Sequence, residues 1–77
     1  MIEKKLKQVF EDTFRNSDIP SNLTGVSLGD IEEWDSLGNF NLLLSIEETF
    51  SIRFSMEEMS ETKSYDEIVE ILKSKDI

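Results

Sequence analysis

Apolar residues recur at helical spacing at Ile2, Leu6, Val9, Phe10 and Phe14, so residues 2–14 read as an amphipathic first helix. Asn16-Ser17-Asp18 and Pro20-Ser21-Asn22 then break the pattern. Residues 16–34 form a long connection containing Pro20, Gly25 and Gly29. This stretch is not purely polar: Ile19, Leu23, Val26, Leu28, Ile31 and Trp34 are placed to pin it onto the helices. A connection of that length in a small domain is expected to be ordered and functional.

Asp35 is a good N-cap for the apolar run Phe40, Leu42, Leu43, Leu44, Ile46 and Phe50, which predicts a second helix over residues 36–50. Ser55-Met56-Glu57-Glu58 fits a capping box that opens a short third helix. Ser64-Tyr65-Asp66-Glu67 fits another, opening a last helix over residues 65–74 with Tyr65, Ile68, Val69 and Leu72 facing inward. Ser51-Ile52-Arg53-Phe54 alternates but is too short to be more than a connector. The expected fold is all-α: a small four-helix bundle of three longer helices and one short third helix, with a long loop between the first and second. Residues 1–77 make one domain, and a chain this short buries only roughly 60% of its unfolded surface.

The second helix carries two apolar stripes instead of one. At about 100° per residue, Leu42, Leu43, Ile46 and Phe50 share one side, and Leu37, Phe40 and Leu44 form another roughly 130° away. The first stripe is core. The second either packs under the long loop and against Met56 and Met59, or forms an exposed docking patch flanked by Glu47 and Glu48. In the second case the acids steer an approaching partner, and Leu37 and Leu44 supply the desolvated contact.

Composition narrows the chemistry. The chain has no cysteine and no histidine, which removes disulfides, thiolate metal sites and the Ser-His-Asp triad, so no metal is expected. Glu32-Glu33 and Glu57-Glu58 are paired acids, but adjacent residues on a helix diverge in direction, so they make a poor acid-base pair. The protein is expected not to be an enzyme.

Net charge is −9, and residues 16–62 hold ten acids against Arg53 alone. Such a field repels nucleic acid and anionic membrane and attracts basic protein surfaces, unless it serves solubility alone. Met1 to Lys7 is charged and lacks the apolar core of a signal peptide, and no run reaches transmembrane length. A cytoplasmic monomer is expected. Without a secretion signal, the sequon Asn22-Leu23-Thr24 is a chance match.

Ser36 is the one side chain whose place suggests covalent chemistry. It falls in the first turn of the second helix, near unpaired backbone N–H groups and the positive end of the helix dipole. A phosphate ester there sits where anions are favoured. Serine in a first turn is also ordinary, because it competes well for orphan donors.

Trp34-Asp35-Ser36-Leu37-Gly38, with Asn41-Leu42-Leu43 and Ile46-Glu47-Glu48-Thr49-Phe50, closely resembles the acyl carrier proteins. The likeness covers nearly the whole chain, through the long first loop and short third helix to Ile68-Val69-Glu70-Ile71-Leu72. It implies that Ser36 is the attachment point for 4'-phosphopantetheine, with Asp35 and Leu37 beside it. The group comes from coenzyme A through a phosphopantetheinyl transferase. Its thiol would carry an acyl or aminoacyl cargo as a thioester. It further implies that Leu37, Phe40, Leu44, Glu47 and Glu48 recognise partners. These would be an acyl- or aminoacyl-activating ligase and acyl-processing or transfer enzymes with basic surfaces.

The chain departs from the fatty-acid carriers, which usually have acidic residues at Gly38 and Asn41. It departs from peptidyl carriers, which place glycines before the serine where this chain has Glu33-Trp34. It looks more like discrete carriers of specialised pathways, including aminoacyl carriers of the D-alanyl type. Gly38 is expected to weaken the first helical turn by up to about 1 kcal/mol relative to alanine and to loosen it. The competing reading is a non-enzymatic acidic helical module whose apolar patch binds a basic partner, with Ser36 a plain cap.

Overall fold

The computed structural model describes residues 2–75. It contains four helices: α1 (Ile2–Thr13), α2 (Ser36–Phe50), α3 (Met56–Glu61) and α4 (Tyr65–Ser74). Among the described residues there is no strand, and the one isolated antiparallel bridge joins Ser27 to Ser64. Among the described residues no helix is long and apolar enough to cross a membrane. The 2–14 expectation for the first helix runs one residue past the observed end, although the Phe14 N–H still bonds the Phe10 carbonyl at 2.9 Å.

Local chemistry sets the helix ends. Asp35 caps α2 by accepting from the Gly38 N–H at 2.7 Å. At the other end, Ser51 takes the left-handed conformation (φ 56°) that stops the helix. Ser55 and Glu58 form the reciprocal box expected of α3. Ser55 donates its backbone N–H to the Glu58 carboxylate, and Lys75 lies 3.2 Å from it, so this acid is held below its ordinary pKa. The Ser64 box of α4 is only half as expected. Ser64 accepts from the Glu67 N–H, but the Glu67 carboxylate reaches back one residue further, to the Lys63 N–H at 2.9 Å. The Lys63 carbonyl takes the Leu28 N–H, so this junction is shared with the long connection.

The core is aromatic at one end and aliphatic at the other. Phe10 meets Phe14, Trp34 and Tyr65 edge-on, with the Trp34 ring centroid 5.1 Å away. Leu6, Leu42, Leu43, Ile46, Ile68 and Leu72 fill the rest and are fully buried. The connection before α2 is pinned as its composition predicts. Leu23, Ile31 and Trp34 are buried, and Ile19, Val26 and Leu28 pack partly against the core. Its two ends are clasped by Glu33, whose carboxylate accepts from the Asn16 N–H at 2.8 Å and the Ser17 hydroxyl at 3.0 Å.

α3 is a different kind of element, because none of its six residues is buried. Both of its flanks are tied to α2. Glu47 accepts from the Phe54 N–H at 2.7 Å, and Asn39 donates its side-chain amide to the Thr62 carbonyl at 2.9 Å. The two α2 anchors and the two α3 anchors pair in opposite chain order, so α3 runs back along α2.

Candidate functional site

Ser36 is the first residue of α2 and is exposed. The Asp35 side chain turns back to the Gly38 N–H, and the Asp35 carbonyl takes the Asn39 N–H at 2.7 Å. The N–H groups of Ser36 and Leu37 have no acceptor among the described residues. The Ser36 hydroxyl therefore lies beside two unspent donors at the positive end of a helix of 15 residues. A shallow open groove of about 290 Å³ lies between the end of α1 and this turn, lined by Thr13, Phe14, Glu33, Asp35, Leu37, Gly38 and Asn41 and not by Ser36 itself.

The second stripe of α2 is at the surface. Leu37 is 71% exposed, Phe40 50% and Leu44 43%, and the 87% exposed Met56 is the other large apolar side chain left open among the described residues. None of the three stripe residues is buried under the loop or against Met56 and Met59. Met59 instead packs partly against the core. Of the core stripe, Leu42, Leu43 and Ile46 are buried, and Phe50 is half-buried with the Lys5 ammonium 5.6 Å from its ring.

The two acids beside the patch differ in kind. Glu48 is exposed and borders an open groove between α1 and α2 that also holds Asp12 and Arg15. Glu47 is half-buried, and one of its carboxylate oxygens is committed to Phe54. Such double duty is common here. Of the ten acids in residues 16–62, five (Asp30, Glu33, Asp35, Glu47 and Glu58) accept from a backbone N–H. The acidic character of this segment is thus partly architectural, although each carboxylate still contributes its charge to the surface field. Glu33 and Glu58, each from one of the paired acids, are held in this way.

Gly38 overturns an expectation. A Cβ added there would overlap the Glu33 carbonyl oxygen and approach an Asp35 carboxylate oxygen at 3.2 Å. The glycine lets the chain before α2 close onto its first turn, so it tightens the mouth of the helix instead of loosening it.

The functionally placed residue that sequence reasoning missed is Asn39. It lies on the core side of α2 at 5% exposure, accepts from the Trp34 indole N–H at 2.8 Å and donates to Thr62. Its signal is present: an amide one turn before Leu42 and Leu43 on the core side of the helix, five residues after the only tryptophan, needs polar partners.

Compared with family models, with curated proteins and with solved structures, the chain matches none.

Proposed function

We propose that this protein is a carrier that holds acyl or aminoacyl groups on a 4'-phosphopantetheine arm attached to Ser36. The observation that carries the reading is the exposed Ser36 hydroxyl at the opening of α2, beside the unspent N–H groups of Ser36 and Leu37. Those donors suit the phosphodiester that the arm would bring, and the exposure of Ser36 leaves it open to a modifying protein. The arm supplies the thiol that a chain without cysteine lacks, and with it the capacity to hold cargo as a thioester.

In the loading step Ser36 Oγ attacks the phosphorus next to the pantetheine half of coenzyme A. The new Oγ–P bond forms as the pyrophosphate P–O bond breaks. Adenosine 3',5'-bisphosphate leaves, and the hydroxyl proton passes to a base of the transferase. This chain's share is to hold the hydroxyl outward and the two N–H groups free. The reading fits a four-helix bundle working as a cytoplasmic monomer in a specialised pathway.

Incubation with coenzyme A and a broad-specificity phosphopantetheinyl transferase is expected to add one phosphopantetheine to the intact mass. Ser36→Ala is expected to abolish the gain. An unchanged wild-type mass, or a gain that survives the substitution, rules the reading out.

The exposed stripe of Leu37, Phe40 and Leu44 also favours a second reading, an acidic module that docks a basic partner without any arm. In both readings Leu44→Lys is expected to weaken docking at least tenfold, because it places an ammonium in a desolvated contact. Docking should also weaken as salt rises, since acids and bases separated by solvent are screened over about 10 Å at 0.1 M. Only the module keeps its function after Ser36→Ala. The intact mass after incubation with coenzyme A and the transferase, set beside the function that Ser36→Ala retains, separates the two, and a flat salt dependence of docking would remove the acids from the account.

A further inference from the structure

By local criteria the first turn of α2 is the weak end of that helix. Its third residue is Gly38, and its first turn contains no acidic side chain. Opening turns also lack the i→i−4 bonds that hold a helix interior. Yet this turn is anchored on both sides of Ser36. Two residues before it, Trp34 is fully buried among Phe10 and Phe14. Three residues after it, Asn39 is buried and makes three hydrogen bonds. Its Oδ1 accepts from Trp34 Nε1 at 2.8 Å, its Nδ2 donates to the Thr62 carbonyl at 2.9 Å, and its backbone N–H donates to the Asp35 carbonyl at 2.7 Å. Thr62 is itself buried, and its N–H closes α3 on the Glu58 carbonyl at 2.9 Å.

We propose that Asn39 is a positioning residue for the modification of Ser36: its amide clamps the serine-bearing turn between Trp34 and the α3–α4 junction. This inference rests on the carrier reading of Ser36. Asn39 cannot touch an approaching protein, because it lies beneath the turn, while Leu37, Phe40 and Leu44 face outward. Its effect therefore falls on the aim of the hydroxyl and not on docking. An attacking oxygen must be held close to its line of approach, and small displacements are costly in rate. Removing the amide leaves two buried polar groups, the Trp34 N–H and the Thr62 carbonyl, without their partner. The turn then has reason to move.

The test compares wild type, Asn39→Leu and Trp34→Phe as substrates for a broad-specificity phosphopantetheinyl transferase with coenzyme A. Amide hydrogen exchange is followed along α2 in each. Asn39→Leu is expected to lower kcat about tenfold, with KM for the carrier nearly unchanged. Exchange protection is expected to fall at Gly38 and Phe40 while it holds at Ile46. A cooperatively folded Asn39→Leu protein with wild-type kcat overturns the proposal. So does protection that falls evenly from Gly38 to Ile46, which marks a purely structural role. Should Asn39→Leu fail to fold, Trp34→Phe keeps the Thr62 bond and removes the indole donor together with part of the buried ring volume. It is expected to lower kcat about two- to threefold, and an unchanged kcat overturns the proposal. If wild type itself takes no arm, the carrier reading fails. The exchange pattern then decides alone whether Asn39 anchors this turn.

Discussion

A Trp34→Ala protein is expected to be about 3–5 kcal/mol less stable than wild type. A domain of this length has roughly 4–12 kcal/mol in total, so the variant loses at least about a quarter of its stability. Two losses combine. The indole is fully buried and touches Phe10 and Phe14, so its removal leaves a void where the aromatic end of the core meets the chain before α2. The Asn39 Oδ1 also loses its only donor among the described residues, which adds the cost of an unpaired buried acceptor. Urea unfolding followed by far-UV circular dichroism measures the difference. A loss under about 1 kcal/mol would mean that the site collapses around the smaller side chain, and that Trp34 does not anchor this end of the core.

Gly38→Ala is expected to destabilise the protein by about 1–3 kcal/mol, against the sign that helix propensity alone predicts. Alanine is the better helix former by up to about 1 kcal/mol. Here, however, its methyl group meets the Glu33 carbonyl oxygen, a backbone atom that cannot rotate away. Relief requires the segment before α2 to move, and that segment is held by the Glu33 clasp to Asn16 and Ser17 and by the Trp34 anchor to Asn39. Thermal unfolding decides the sign. A rise in Tm would show that the turn had slack to accept a side chain.

These two positions show what was legible in the chain and what was not. The helices could be read because their apolar residues keep one period and their caps are made of local pairs: Asp35 with Gly38, Ser55 with Glu58, Ser64 with Glu67. The exposed stripe could be read because a helix wheel places Leu37, Phe40 and Leu44 away from Leu42, Leu43 and Ile46, although the wheel could not decide between cover and solvent. That answer depends on where α3 lies, which is a tertiary fact. The role of Gly38 was illegible for the same reason, since propensity treats a helix as isolated and the obstructing oxygen belongs to the loop. Asn39 was passed over because a polar residue inside an apolar run reads as interruption, and its two partners are five and 23 residues away. The sequence places Glu47 beside the exposed stripe as a steering acid, whereas its bond to Phe54 depends on how the chain doubles back after α2.

The suspension of α3 from α2 has a consequence for how such a chain can diversify. None of its six residues is fully buried, Met59 packs only partly against the core, and what chiefly holds the segment is its flanks: the Glu47 tie at Phe54, the Ser55 box and the Asn39 tie at Thr62. Met56, Glu57, Ser60 and Glu61 can therefore be rewritten at little thermodynamic risk. That freedom lies beside the stripe a companion protein would touch. The segment is thus the natural place for lineages to alter whom the protein works with while the architecture beneath stays as it is.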